Sequence, residues 1–128
     1  MRARQESCCF TGHREDKLPW GSDENDPRCR KLQQQIFDAV DAVYAAGIRH
    51  CICGMANGCD LYFFDAARYL RLQHPEVTIE AAIPYSGQAD RWRPELRARY
   101  AYDLRQCDYQ TLVQEAYPPV CMMRRNRY

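Results

Sequence analysis

The sequence predicts an α/β fold, with a mainly parallel sheet covered by helices in three α/β/α layers. Short apolar runs alternate with longer segments whose apolar residues recur at helical spacing, which is the pattern of parallel strands joined by crossover helices. The chain has 128 residues, the usual size of one domain, and 46% of them are apolar, which is enough for a proper core. We therefore expect residues 1–128 to form a single domain.

The first part of the chain predicts a strand, a long loop and a helix. The strand is Ser7 to Thr11, and the loop is residues 12–26, which are rich in Gly, Asp, Asn and Pro. The helix runs from Pro27 to Ala46, because Asp26 is a suitable N-cap and Gly47 a suitable stop. Its apolar positions at helical spacing are Leu32, Ile36, Val40 and Val43.

The rest of the chain repeats the alternation of strand and helix. The further predicted strands are Ile48 to Cys53, Val77 to Ile83 and the weaker Tyr109 to Val113. The further predicted helices are Leu61 to Leu72 and Pro94 to about Cys107.

Charge and hydropathy argue against two classes of partner. The 18 basic and 17 acidic residues give a net charge of +1, so binding to nucleic acid is not favoured. No apolar run approaches the ~20 residues of a membrane span, and the N-terminus lacks the apolar core of a secretory signal. We expect a cytoplasmic protein with no membrane partner.

Eight cysteines raise the question of a metal site, above all the three in the stretch CICGMANGCD. Structural zinc usually requires a C-x₂₋₄-C pair and a second such pair, and this spacing is not present. Cys51 and Cys53 lie two apart in a predicted strand, so both point to one face and act as small hydrophobic side chains. We expect no metal, and no disulfide in a reducing compartment.

The turn after the second strand has two interpretations. Gly54 and Gly58 have no Cβ and allow a phosphate to approach the backbone at a helix N-terminus. Asn57 could cap the helix or bond a ligand hydroxyl, and Asp60 could accept hydrogen bonds from a ribose or from backbone in a neighbouring loop. A tight turn into a helix also favours these residues without any ligand. The pattern is neither G-x-G-x-x-G nor a Walker sequence, so both interpretations stay open.

Residues after the first and third strands are expected at the same edge of the parallel sheet, where the strands have their carboxyl ends. Ligands of such sheets bind at this edge, near the point where strand order reverses. His13 and Arg14 could pair with a phosphate or simply be exposed. Trp92 and Tyr85, on either side of Gln88, could stack on a base or anchor their loop on the core. No activated acid, base or nucleophile is evident, so catalytic residues stay unknown.

Four motifs in order, TGHR, CGMANGCDLYFFDAA, AAIPYSGQADRW and YPPVCMMRRNRY, resemble the YpsA-like branch of the SLOG domains. These belong to the Rossmann-like superfamily of the DprA DNA-processing proteins and the LOG phosphoribohydrolases. The resemblance implies a Rossmann-like fold and a ligand derived from a nucleotide. The residues that it carries over are Thr11, Gly12, His13, Arg14, Gly54, Gly58, Asp60, Gln88, Trp92, Arg125 and Asn126.

The resemblance favours a nucleotide-binding sensor or regulatory domain over an enzyme. LOG enzymes place a P-G-G-x-G-T turn and a catalytic glutamate beyond the segment that matches Arg124 to Tyr128, where this chain stops. The alternatives are a LOG-type phosphoribohydrolase acting on nucleoside monophosphates and a DprA-like protein that binds single-stranded DNA. We expect a shortened or truncated member whose uncovered sheet edge makes it a homodimer or larger assembly.

Overall fold

A computed structural model of the protein describes residues 7–10, 12–85 and 87–112. Strands and helices alternate along this part of the chain, as predicted, and each observed end that can be compared lies within two residues of the predicted one. Thr11 and Val113, at two predicted strand ends, lie outside the described residues. The elements are β1 (Ser7–Phe10), a 3₁₀ turn (Glu15–Lys17), α1 (Pro27–Ala45), β2 (His50–Cys53), α2 (Cys59–Gln73), β3 (Thr78–Ile83), α3 (Pro94–Gln106) and β4 (Tyr109–Leu112).

The four described strands form one sheet in the order β1-β2-β3-β4, and every pair is parallel. Phe10, Cys53, Ala81 and Gln110 lie in one row across this sheet. The predicted α/β class with a parallel sheet is confirmed. The order of these four strands does not reverse, so the carboxyl ends of neighbouring strands carry loops that are also neighbours.

The three helices share one face of the sheet. Each parallel connection moves one strand further in the same direction, and right-handed crossovers then place successive helices on the same side. Contacts agree with this: α1 packs against α2, and Arg99 of α3 pairs with Asp65 of α2 at 2.7 Å. The second helical layer of the predicted three-layer arrangement is not among the described residues. None of the described helices combines the length and apolarity needed to cross a membrane.

The ends of α1 follow from local chemistry. Asp26 caps the helix by accepting a 2.8 Å hydrogen bond from the backbone N–H of Arg28, and hydrogen bonds from Arg28 lower the pKa of Asp26 to about 2. At the other end Gly47 has a φ of +108°, and the Ile48 N–H donates to the carbonyl of Val43. Because Ile48 belongs to this helix-ending turn, β2 begins two residues later than predicted.

The core lies between the sheet and α2, which is flanked by α1 and α3. Phe64 and Leu61 of α2 are fully buried, and Phe63 stacks on Phe10 of β1 with ring centroids 4.9 Å apart. Cys51 and Cys53 are 1% and 0% exposed, as expected for thiols on the covered face of a strand. Six described cysteines are free thiols: Cys8, Cys29, Cys51, Cys53, Cys59 and Cys107.

The expectation of fully reduced thiols is wrong at Cys9, which is disulfide-bonded. Its side chain alternates with those of Cys8 and Phe10 along β1, so it points away from the helices, and it is exposed. A cysteine on this exposed face is not enclosed in the core as Cys51 and Cys53 of β2 are.

The sheet face away from the helices carries a chain of polar contacts across three strands. His50 contacts the Thr78 hydroxyl and the Glu80 carboxylate, each at 2.6 Å, and Glu80 accepts a 2.7 Å hydrogen bond from Thr111. Burial acts to raise the pKa of Glu80, but the hydrogen bonds from His50 and Thr111 hold it below its usual value. These polar contacts link β2, β3 and β4. The apolar pattern of the sequence predicts the face that the helices cover and gives no information on this one.

Candidate functional site

Three loops meet at the carboxyl end of the sheet, and we call them together the rim. The first loop is residues 12–15 after β1, the second is residues 54–58 after β2, and the third is residues 87–93 after β3. The side chain of Asn57 accepts a 3.0 Å hydrogen bond from the backbone N–H of Glu15, joining the first two loops. Gln88 donates to the carbonyls of Gly54 and Met55 at 3.2 and 3.3 Å, joining the third loop to the second.

The first loop packs directly on the N-terminus of α2. Gly58 has a φ of +81°, and a Cβ at this position would lie 2.7 Å from the His13 carbonyl oxygen and 2.8 Å from the Glu15 nitrogen. A Cβ on Gly12 would lie 2.6 Å from that of Cys59. The Cys59 N–H donates to the His13 carbonyl at 3.0 Å. Contact between two segments of the protein therefore explains both glycines. One of the first N–H groups of α2 is already hydrogen-bonded within the protein.

The second loop is a strained turn held by a buried carboxylate. Asp60 is 1% exposed and accepts a 3.2 Å hydrogen bond from the N–H of Ala56, which belongs to the same turn. Met55 has a φ of +63°, a left-handed conformation that is uncommon outside glycine, and its side chain is fully buried. Strained backbone of this kind persists where the surroundings enforce it, and it is concentrated at functional sites.

The third loop is anchored on α3. Trp92 packs edge-on against Tyr100, with ring centroids 5.2 Å apart and planes at 79°. Gln88 is 8% exposed and holds the second loop, whereas Tyr85, just before the third loop, is 52% exposed. Of the two interpretations of the aromatic residues, anchoring is observed for Trp92. Tyr85 has a ring at the surface that a planar ligand could contact.

Opposite charges meet across the rim. Both η nitrogens of Arg93 donate to the Glu15 carboxylate, at 2.8 and 3.2 Å, and its ε nitrogen lies 2.9 Å from Glu95. These contacts raise the pKa of Arg93, with the hydrogen bond to Glu15 as the main cause. His13 and Arg14 are exposed beside them. Sequence reasoning missed Glu15 and Arg93, because no local pattern connects residues that are 78 positions apart.

The structure brings together most of the predicted site residues. Those in the rim or directly beneath it are Gly12, His13, Arg14, Gly54, Asn57, Gly58, Asp60, Gln88 and Trp92. Thr11, Arg125 and Asn126 lie outside the described residues. Within residues 7–10, 12–85 and 87–112, no three His, Cys, Asp or Glu side chains are grouped so that they could hold a metal ion.

A parallel sheet whose glycine-containing loops are joined at the carboxyl ends of neighbouring strands defines a Rossmann-like α/β protein with a candidate ligand site at that edge. Comparison with protein families identifies the particular group. The chain belongs to the YspA SLOG family, whose model YpsA matches residues 8–128. This match covers all three loops of the rim. A search of the curated proteins finds no match for the chain.

Proposed function

We propose that this protein binds a nucleotide or a nucleotide derivative at the rim, as a sensor or regulatory domain. The observation that carries the proposal is the convergence of the three loops, joined by Asn57 and Gln88, at the carboxyl ends of β1, β2 and β3. Ligands of open parallel sheets bind at this edge. Membership of a SLOG family supports a nucleotide-related ligand.

The chemistry of the rim suits a phosphate with an attached ring. His13 and Arg14 place exposed cationic or hydrogen-bonding groups on the first loop, and Arg93 adds a guanidinium on the third. Tyr85 offers an exposed aromatic face for a base. Because the Cys59 N–H is already bonded to His13, the phosphate would depend more on these side chains than on the N-terminus of α2.

Thermal unfolding with a panel of ligands tests the proposal. The panel consists of AMP, ADP, ATP, ADP-ribose and cyclic dinucleotides, with ribose and adenine as controls. A ligand at 100 times its Kd stabilises the folded state by about 2.7 kcal/mol, which is readily detected. We expect at least one nucleotide to raise the transition temperature, and Arg14→Gln to reduce the rise.

Arg30→Gln is the matched control, because it removes the same charge from an exposed position on α1. We expect it to leave the response unchanged. A panel in which no nucleotide moves the wild-type transition would refute the proposal. Gly58 is unsuitable for this test, since any side chain there would collide with the first loop whether or not a ligand binds.

Two further assays separate the proposed binding function from the alternatives within the superfamily. Release of free base from a nucleoside monophosphate, followed by chromatography, would establish the LOG-type hydrolysis. Retention of single-stranded DNA that falls steeply with added salt would establish DNA binding of the DprA type. We expect neither release of base nor retention of single-stranded DNA at the protein concentrations at which nucleotide binding is observed.

A further inference from the structure

Arg93 lies where the first and third loops of the rim meet, and its guanidinium is held from two sides. Its two η nitrogens donate to Glu15, and its ε nitrogen pairs with Glu95 at 2.9 Å. The two carboxylates differ in exposure: the Glu15 side chain is 12% exposed and that of Glu95 is 71% exposed. The carboxylate of Glu15 is therefore mostly shielded from water, and that of Glu95 lies in water.

This difference in exposure separates a supporting contact from an exchangeable one. Breaking the Glu15 pair would leave a largely buried carboxylate without its guanidinium, which is costly. The Glu95 contact is an exposed ion pair, and such pairs contribute little to stability. An incoming anion would therefore displace Glu95, while Glu15 would keep the guanidinium in place.

We propose that Arg93 is a phosphate-binding residue of the rim, positioned by Glu15, with Glu95 occupying the edge of the guanidinium that takes the ligand. The inference rests on the proposed nucleotide function and names a residue for its phosphate group. The edge that Glu95 occupies consists of the ε nitrogen and one η nitrogen, a fork that matches two oxygens of a phosphate or pyrophosphate. Asn57 helps to position Glu15, because its side-chain oxygen accepts a 3.0 Å hydrogen bond from the Glu15 backbone N–H.

Two Glu→Gln substitutions around this one arginine give a direct test, since they make the same change of charge. We expect Glu95→Gln to lower the Kd for ADP and inorganic pyrophosphate by about 2- to 5-fold, because it removes a competing carboxylate. We expect Glu15→Gln to raise it by about 3- to 10-fold, because the arginine loses its positioning partner. Long-range electrostatics alone would lower the Kd in both variants.

Substitutions of arginine complete the test by isothermal titration calorimetry at low salt. We expect Arg93→Gln to raise the Kd by about tenfold or more and Arg93→Lys to raise it less, because lysine keeps the charge but not the fork. Arg97→Gln is the control, since it removes the same charge from an exposed position one turn further along α3. Circular dichroism and the transition temperature establish that each variant is folded.

The outcomes distinguish this inference from the proposed function. Binding of a nucleotide to wild type with an unchanged Kd in Arg93→Gln and Arg93→Lys would overturn the role of Arg93 and leave the proposed function standing. A lowered Kd in Glu15→Gln would overturn the positioning role of Glu15. Absence of binding to wild type by ADP, pyrophosphate and the whole nucleotide panel would overturn both proposals.

Discussion

Gly58 lies where the second loop enters α2, with a φ of +81° and a ψ of −131°. Residues other than glycine rarely adopt this backbone conformation. The space that a Cβ would need is also filled by backbone atoms of residues 13–15. Neither obstacle can be relieved by rotating a side chain. The residue is thus required for the first and second loops to meet, whatever the rim binds.

We predict that Gly58→Ala lowers the free energy of unfolding by about 3 kcal/mol or more, from backbone strain together with the 2.7 Å approach to the His13 carbonyl. Gly21→Ala is the matched control, because Gly21 has a φ of +58° but no atom within 4 Å of an added Cβ. We expect about 1 kcal/mol there. Urea denaturation measures both, and equal losses would contradict the packing explanation.

Asp103 of α3 is a second residue whose environment has a measurable effect. It is 2% exposed, and its Oδ2 atom has no hydrogen-bond partner among the residues that the structure describes. Burial, together with the nearby Asp65, raises its pKa to about 6, although Arg99 and Arg68 act in the opposite direction. The protonated form is therefore favoured in the folded protein relative to the unfolded one, where the usual value is 3.8.

We predict that the stabilisation from protonated Asp103 is fully present below about pH 4 and is lost as the pH rises through about 6. Asp103→Asn cannot titrate, so between about pH 4 and pH 8 its free energy of unfolding should gain about 3 kcal/mol on that of wild type. Urea denaturation of both proteins across this range measures the difference. A difference that does not change with pH would contradict the prediction.

At the scale of elements, Gln88 determines how the third loop sits on the second. Its amide donates to two consecutive carbonyls, those of Gly54 and Met55, and its side chain is buried. Met55 has a left-handed φ, which a non-glycine residue adopts only when its surroundings enforce it. Gln88 is one of the groups that hold this turn.

We predict that Gln88→Leu lowers the free energy of unfolding by about 2 kcal/mol, since two buried carbonyls lose their donor. Gln73→Leu, at the exposed end of α2, should change it by less than about 0.5 kcal/mol. Urea denaturation compares the two. A loss at position 88 as small as that at position 73 would show that the loop does not depend on this amide.

The sequence predicts the strands and helices well, because their patterns are local. Asp26, Pro27 and Gly47 signal the ends of α1 directly. The start of α2 is less predictable: Cys59 and Asp60 belong to the helix, two residues before the expected start, because the first turn is fixed by Gly58 and by the His13 carbonyl. A contact from a distant segment leaves no trace in the local pattern.

The rim is predictable in its location and only partly in its contacts. Loops after parallel strands meet at one edge, so the sequence indicates that His13, Asn57 and Gln88 are neighbours. It does not indicate that Glu15 and Arg93 pair, or that Met55 has a left-handed φ. These features depend on how closely the loops approach one another in three dimensions, and the spacing of residues in the sequence does not predict that.

At the scale of the whole molecule, the outer strands of the described sheet are candidate surfaces for self-association. Among the described strands, β1 and β4 each pair with one neighbour. An apolar groove of about 220 Å³ lies between β1 and α1, lined by residues that include Phe10, Ile36, Val40 and Phe63. Uncovered edges and apolar grooves favour contact with another copy.

We predict that the protein is a homodimer or larger assembly at micromolar concentration. Light scattering coupled to size-exclusion chromatography measures the mass directly. Ala39→Glu, which places a charge on the exposed wall of the groove, should shift the protein toward the monomer. A strictly monomeric wild type would contradict the prediction.

Binding of a nucleotide at the rim is tested most directly by nuclear magnetic resonance of protein labelled with ¹⁵N only at glycine. The chain has six glycines. Gly12, Gly54, Gly58 and Gly87 lie at the rim, and Gly47 lies at the opposite end of the sheet, before β2. We expect a nucleotide to shift the four rim signals saturably and to leave that of Gly47 in place. Saturable shifts confined to Gly47, or no shift with any nucleotide, would contradict a ligand site at the carboxyl ends of the strands.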